Sequence, residues 1–247
     1  MKLAELTWPE VEALSREIVV LIPTGSCEQH GPHLPVFTDS ILATAVAEGA
    51  EARIPESVLM TPTLWLGASG HHLAFPGTLS ASMDTYMGAL TNVISSLQRH
   101  GFRKFFIING HGGNNEPNGV ALRQIKEQFP ALMIGHSGYY GPVAKETADV
   151  LEGPFKEIRH ACEAEASLMM HIRPELVRKD KLRDDGLAPE PAVYGMIHLF
   201  DEMTEEGSLG YATLGTPAKG KAIFDAAVAA LVKQLTALHE GYVLRGF

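Results

Sequence analysis

"REIVVLIPTGSCEQHGPHLPVFTD", residues 16–39, joins two unlike pieces of sequence. The part up to Thr24 is a short apolar run rich in β-branched residues that ends in turn formers, the pattern of a buried strand. The part beyond it sets Glu28, His30, His33 and Asp39 into one loop stiffened by Gly31, Pro32 and Pro35. A strand that delivers carboxylates and imidazoles directly from its carboxyl end is the arrangement of a ligand site in an open α/β sheet.

Outward from this stretch the chain alternates. A helical pattern runs from about Asp39 to Arg53, and "SVLMTP" is a second strand. "DTYMGALTNVISSLQRHG" places Met87, Leu90, Ile94 and Leu97 at helical spacing and ends on Gly101, which suits a helix terminus. "RKFFIING" is the third strand, and "NNEPNGVALRQIKEQF" is a helix with Pro117 in its first turn. "ALMIGH" is the fourth strand, and "PAKGKAIFDAAVAALVKQLTALHEGYV" is a long closing helix. Strand and helix in alternation predict an α/β fold, a three-layer αβα arrangement with a mostly parallel central sheet. The segment from Lys181 to Thr216 is the least regular. No repeat or linker divides the chain, so residues 1–247 read as a single domain.

Composition narrows the function. Apolar residues make up 45% of the chain, enough for a sizeable core. The net charge of −9 disfavours nucleic acid as a partner, because phosphate contacts need a basic surface. No apolar stretch is expected to reach the length of a membrane span, and "MKLAELTWPEVEALSREI" lacks the apolar centre of a secretory signal. Cys27 and Cys162 are too few for a disulfide framework, which makes a reducing cytoplasm the default. Both read as small buried residues, although each adjoins a glutamate.

The residues after the first strand have the chemistry of a metal site without thiolates. Glu28 and His30, two apart, point to one side of an extended segment. Asp39 stands at a helix start, where it serves either as a ligand or as an N-terminal cap. His33 serves either to hydrogen-bond the loop or to orient a ligand. "NGHGGNN", residues 109–115, follows the third strand and brings His111 to the same edge of the sheet. The backbone of Gly112 and Gly113 either holds an anionic substrate group or only makes a tight turn. In "HACEAEASLMMHI" Glu165 lies inside an apolar stripe of Ala161, Ala164, Leu168 and Ile172. A buried carboxylate needs a cation, or else an arginine such as Arg159 or Arg173. His160 and Glu163 share a more polar face, suited to proton transfer or to solvent. His71 and His72 line a pocket rim or are ordinary loop histidines, His136 is unassigned, and Met169 and Met170 are packing.

"PTGSCEQHGPHLPVFTD", "HHLAFPGTLSAS", "NGHGGNN" and "HACEAEASLM" resemble, in that order, the motifs of the creatininase (creatinine amidohydrolase) family. The resemblance spans about residues 21–176, and "GYATLGTPAKGKAIFDAA" is similar as well. It implies an α/β hydrolase of C–N bonds with two divalent ions, zinc, manganese or iron. It also implies a small-molecule amide substrate and a homo-oligomer, for which a hexamer is one arrangement. By motif, Glu28 and His111 would bind one ion, His30 the other, and Asp39 would bridge them. His160 matches the proton-transferring histidine, and Ser69 lies near the segment that touches substrate. Creatinine-hydrolysing members read Asn-Gly-His-Tyr-Glu-Asn where this chain has "NGHGGN", so Gly113 replaces their second-site glutamate. Glu165, with Glu163 as the alternative, is the candidate replacement. Those members also carry Trp-Asp where Lys156 and Glu157 stand, which argues against creatinine itself. Related members act on formamides of pyrimidine nucleotides, peptides or cyclic ketones.

The expected reaction is attack on an amide carbonyl by a water whose pKa falls from 15.7 toward roughly 7 between the ions, with His160 protonating the leaving nitrogen. No serine fits Gly-x-Ser-x-Gly and no Gly-x-Gly-x-x-Gly follows the first strand, which argues against a serine-elbow hydrolase and a dinucleotide enzyme. The remaining alternative is a ligand-binding protein that kept the fold without turnover.

Overall fold

A computed structural model describes residues 1–187, 193 and 195–242. A short helix α1 (Trp8–Ala13) leads into β1 (Val19–Thr24), every residue of which is buried. The chain then alternates through α2 (Thr38–Glu51), β2 (Val58–Met60), α3 (Met83–Arg99), β3 (Lys104–Asn109), α4 (Asn115–Gln128) and β4 (Met133–Gly138). The four strands form one sheet in the order β2-β1-β3-β4, and all its pairings are parallel. Alternate residues of β1 feed two cores. Val19 and Leu21 pack with Leu42 and Val46 of α2, and Val20 and Ile22 pack with Leu90 and Ile94 of α3 and Ile125 of α4. A strand covered on both faces has no polar side to show, which is why the run at 18–23 does not alternate.

Beyond β4 come α5 (Ala144–Val150), α6 (Glu163–Ile172), β5 (Asp184–Asp185), β6 (Gly210–Tyr211) and α7 (Pro217–His239). The expected three-layer α/β architecture is therefore present, with one antiparallel β5–β6 pair beside the parallel sheet. The irregular segment 181–216 contains this pair and brings Phe200 and Leu209 over the end of the sheet. Part of that segment, and Val243 at the end of "HEGYV", lie outside the described residues.

Three expectations are corrected. β4 begins at Met133 rather than Ala131, because Leu132 N–H still closes the turn onto Phe129 O after α4. His136 then falls in mid-strand, in register with Ile107, and lines a surface groove with Leu122 and Met133 away from the strand ends. α6 begins at Glu163, so Ala161 belongs to the turn before it and not to the helical stripe. Finally, α7 spans 23 residues at a mean hydropathy of 1.3, long and apolar enough by length and composition to cross a membrane. Its Ile223, Ala227, Val228, Leu231 and Leu235 instead belong to the core beneath the sheet, shared with α2 and α6. Gly220 permits this: a Cβ there would collide with the Ser167 carbonyl of α6.

Gly220→Ala should therefore force α6 and α7 apart and lower the unfolding free energy by roughly 1–3 kcal/mol in urea denaturation. Ala229→Ser, on the exposed side of α7, should stay within about 0.5 kcal/mol of wild type.

Candidate metal centre

β1 and β3 end side by side, with Thr24 in register with Asn109 and its hydroxyl donating to Asn109 Oδ1 at 3.0 Å. From β1 the chain passes through α2 to β2 on one side, while β3 lies on the other. The order of strands reverses at this point, where open α/β sheets leave a crevice. The loop after β1 carries Glu28 and His30, the first turn of α2 carries Asp39, and the loop after β3 carries His111. The first turn of α6 adds Glu165, and the turn before it adds His160. All but His160 are almost completely buried. A cavity of about 380 Å³ opens over them, lined among others by Glu28, Asp39, His111, Gly112, Gly113, His160 and Glu165.

The orientation of each imidazole follows from its outer nitrogen. His30 Nδ1 lies 3.1 Å from the backbone oxygen of Glu28, an obligate acceptor, so Nδ1 carries the hydrogen. His30 Nε2 then turns inward, 3.0 Å from Asp39 Oδ1 and 3.9 Å from Glu165 Oε2. His111 is arranged likewise. Its Nε2 donates toward Ala68 O at 3.2 Å, with the Ser69 hydroxyl at 3.3 Å, and its Nδ1 faces Glu28 Oε1 and Asp39 Oδ2, each at 3.1 Å. Two imidazoles thus present lone pairs to three buried carboxylates. Lone pairs facing lone pairs need a cation or a proton between them. Both Glu28 oxygens also lack any hydrogen-bond partner of acceptable geometry. Histidines anchored from behind by carbonyls, with orphaned carboxylate oxygens in front, fit divalent metal. Donor atoms of Glu28, Asp39 and His111 lie within 4.8 Å of one another, as do those of His30, His160 and Glu165. Asp39 faces both groups. It makes no helix cap, and its Oδ2 accepts from Ser26 Oγ at 2.7 Å.

Protonation shows the same need for positive charge. Burial works against the His30 imidazolium, yet the Asp39 carboxylate beside it, helped by Glu165 and Glu28, holds its pKa up at about 10. Burial pushes the Glu165 carboxyl up to about 8, with Asp39 adding to the rise. Competition between metal and protons for such donors makes affinity climb with pH.

A third grouping, Glu28 with His72 and His160, is excluded as a metal site by its hydrogens. Gly31 N–H donates to Gln29 Oε1, so Gln29 Nε2 is the donor that meets His72 Nδ1 at 2.9 Å. His72 consequently carries its hydrogen on Nε2, 3.4 Å from Glu28 Oε1, and points it toward the carboxylate. Burial and the neighbouring histidines bring its pKa down to about 2, so it stays neutral. His72 stacks on Phe200 at 3.8 Å, and the Phe200 ring also meets His160. His160 Nε2 donates to the backbone oxygen of Gln29 at 2.8 Å, leaving Nδ1 turned inward, 3.7 Å from Glu28 Oε1. Burial, with His30 and His72 nearby, holds its pKa well below the usual value.

The remaining candidates fall into place around this cluster. Glu163 is buried and tied to Lys219 at 2.7 Å and to the N–H groups of Glu152 and Gly153, so it faces away from the cluster. Arg173 pairs with Glu175, and Arg159 reaches Glu157 and the Phe155 ring, while Glu165 accepts from Ala161 N–H. His33 Nε2 donates to Ala161 O at 2.8 Å. That bond holds Ala161, a non-glycine residue at φ 48°, in the left-handed turn that aims His160. Ser69 is buried behind His111. Gly112–Asn114 form a single 3-10 turn, and a Cβ at Gly113 would collide with His111 and His71. His71 stacks on His111, occupying the space beside Gly113. Both cysteines are free and buried. His71 and His72 line the cavity, as one of their two sequence readings had it, whereas Gln29 and Phe200 were not legible as site residues. Phe200 carries no motif, and the two histidines of "HHLAFPGT" look alike until the Gln29 amide distinguishes one.

A parallel sheet whose switch point gathers buried carboxylates and inward-facing imidazoles defines a metal-binding α/β enzyme of the hydrolytic type. Comparison with known proteins agrees. The family model of creatininase, described as creatinine amidohydrolase, matches residues 4–235, and the chain belongs to this family. It is 32% identical over 229 residues to the mycofactocin precursor peptide peptidase of Mycobacterium tuberculosis, covering 87% of this chain and 84% of that one. It is 31% identical over 248 residues to the creatinine amidohydrolase of Pseudomonas putida, covering 91% and 92%. Among solved structures, a manganese creatininase superposes with a TM-score of 0.80 at 28% identity, covering 95% of this chain and 96% of that one. A creatininase variant of Zn–Zn type superposes at 0.79 and 29%, with the same coverage. The protein is thus a creatininase-family hydrolase with a site suited to divalent metal.

Lys219 is the anchor outside the cluster whose loss is most readable. Burial alone would raise the Glu163 carboxyl, yet the N–H groups of Glu152 and Gly153 and the Lys219 ammonium hold it below the usual range. A carboxyl depressed on folding stabilises the protein above its unfolded pKa, about 4.3, and that contribution is lost as pH falls through the folded value. Lys219→Met should cost about 2 kcal/mol at pH 7, less than the 3–5 typical of a broken buried pair because two N–H donors remain. In urea denaturation the gap to wild type should close as pH drops below about 4.

Proposed function

We propose that this protein hydrolyses the C–N bond of an amide or cyclic amide at a centre of two divalent ions. The observation that carries this reading is the inward face of His30 and His111, set against Glu28, Asp39 and Glu165, with both Glu28 oxygens left without a hydrogen-bond partner. Glu28, His111 and Asp39 would hold one ion. His30, Asp39 and Glu165 would hold the other, so that Asp39 would serve both. Glu165 thereby supplies the carboxylate that creatinine-hydrolysing members carry at the place of Gly113.

Divalent ions held there would supply Lewis acidity, lowering the pKa of water toward roughly 7 and polarising a scissile carbonyl. The protein does the rest. His160 keeps its Nε2 hydrogen on Gln29 O, so Nδ1 is the atom that takes up a proton and passes it to the leaving nitrogen. Its neutral state, held by burial, leaves that atom free to accept. Phe200 and His72 wall one side of the cavity and keep bulk water from the reacting groups. Gly112 and Gly113 border the cavity, and their N–H groups are available to an anionic part of the substrate. Ser69 buttresses His111 from behind and does not itself line the cavity. The names of the relatives span a peptide peptidase and a creatinine hydrolase. Lys156 and Glu157, in place of the Trp-Asp of creatinine-hydrolysing members, support an amide other than creatinine. A homo-oligomer is the assembly that the family resemblance favours.

A panel of N-formyl compounds, dipeptides and lactams should reveal turnover that a chelator abolishes and zinc or manganese restores. Absence of turnover on the whole panel by the metal-loaded protein would remove the hydrolase reading. Asp39→Ala should lose both ions in elemental analysis together with activity, and two retained ions would refute the bridging role. His160→Ala should keep its metal while kcat falls by roughly 10²–10⁴-fold.

A further inference from the structure

The cavity has one wall that the hydrolase reading leaves unused, the turn after β4 that carries Tyr140. A chain of side-chain amides leads to this phenol, and each step of the chain has a determined direction. His111 N–H, which can only donate, points to Asn109 Oδ1 at 3.1 Å. The Thr24 hydroxyl and Asn114 Nδ2 meet the same oxygen. Asn109 Nδ2 is therefore the donor end, and it meets the backbone oxygen of His111, which can only accept. The same nitrogen donates to Asn115 Oδ1 at 3.0 Å. With its oxygen so engaged, Asn115 turns its Nδ2 outward, and that group donates to the Tyr140 hydroxyl at 3.2 Å. The phenol oxygen is thus an acceptor in this bond, and its own hydrogen must go elsewhere. Among the described residues no acceptor receives it. The remaining direction is the cavity, whose wall Tyr140 shares with Asp39, His160 and Glu165. Burial holds the phenol above its ordinary pKa, so the hydrogen is present at neutral pH. The ring is fixed in this position: its face packs where a Cβ at Gly138 would stand, and Tyr139 meets it edge-on at 5.3 Å.

We propose that Tyr140 is a catalytic residue that donates a hydrogen bond to the carbonyl oxygen of the substrate as negative charge develops there, and that the Asn109–Asn115 relay sets this direction. The assignment rests on the amide-hydrolase reading and adds a donor supplied by the protein itself. A donor already oriented in a water-poor cavity acts on the transition state without reorganising, which gives such groups their large effect on kcat. The relay starts from the peptide that carries His111, so the loop that presents an imidazole to the carboxylates also sets the phenol. Positioning by Asn115 is separable from the phenol itself. An aspartate at 115 would still accept from Asn109, suits the first turn of α4, and would draw the Tyr140 hydrogen away from the cavity.

The test compares Tyr140→Phe, Asn115→Asp and the double variant with wild type, each metal-loaded and checked by elemental analysis and melting temperature. On the fastest amide of the panel, both single variants should lose roughly 10²-fold in kcat with KM within about threefold. The double variant should be no worse than either single one, because both remove the same hydrogen bond. Ala229→Ser, on the exposed side of α7 and away from the cavity, should leave kcat unchanged. Calorimetric binding of acetohydroxamate, a carbonyl-oxygen ligand, supplies a readout without turnover: both single variants should bind it roughly tenfold more weakly. Wild-type affinity in Tyr140→Phe, or full activity in Asn115→Asp beside an impaired Tyr140→Phe, overturns the proposal. Loss of acetohydroxamate affinity in both variants supports it even if no amide is cleaved, an outcome that would strike the hydrolase reading alone.

Discussion

Three carboxylates, Glu28, Asp39 and Glu165, are buried within reach of two inward-facing imidazole nitrogens, which hold either a proton or a metal ion between them and the acids. Taking charges out of water costs several kcal/mol per ion, and the cluster itself is built only of acids and imidazoles. It is tolerable only with cationic charge at its centre. Much of the surrounding structure keeps those lone pairs pointing inward: the Glu28 and Ala68 carbonyls behind the imidazoles, Ser26 behind Asp39, and the Ala161 N–H on Glu165. These contacts order the donors before any ligand arrives, so binding loses less conformational freedom.

The sheet makes this convergence geometrically simple. β1 and β3 are neighbours in register to their last residues, which places the loops at 25–38 and 110–114 side by side. α6 crosses α7 closely at Gly220 and shares one core with it and with α2, which fixes the helix that carries Glu165. The left-handed turn at Ala161 then swings His160 over the cluster while Glu165 enters from beneath. Strain at that residue is held by His33, an imidazole that serves the backbone and not the cavity. The irregular segment completes the wall with Phe200 and Leu209.

Much of this was legible without coordinates. Unbroken apolar runs at 18–23 and 105–108 signalled strands covered on both faces, and the period of Leu90, Ile94 and Leu97 signalled a helix against them. Glu165 betrayed itself as a carboxylate inside an apolar stripe, since burial follows from periodicity alone. The limits are equally specific. The stripe could not reveal that Ala161 leaves the helix, because a left-handed alanine has no compositional signature. Lys219 as the partner of Glu163 was hidden by a separation of 56 residues.

The order and type of residues therefore determined the strands of the parallel sheet and the helices between them, the edge of the sheet that carries the polar groups, and the identity of most candidate ligands. All of these depend on local period and on the residues immediately after each strand. Tertiary structure alone decided which nitrogen of each histidine faces inward, that the Nδ1 of His72 is taken up by the Gln29 amide, and that Tyr140 belongs to the cavity. Hydrogen positions on imidazoles, amides and phenols are dictated by partners brought from remote parts of the chain, and a linear sequence holds no record of those encounters.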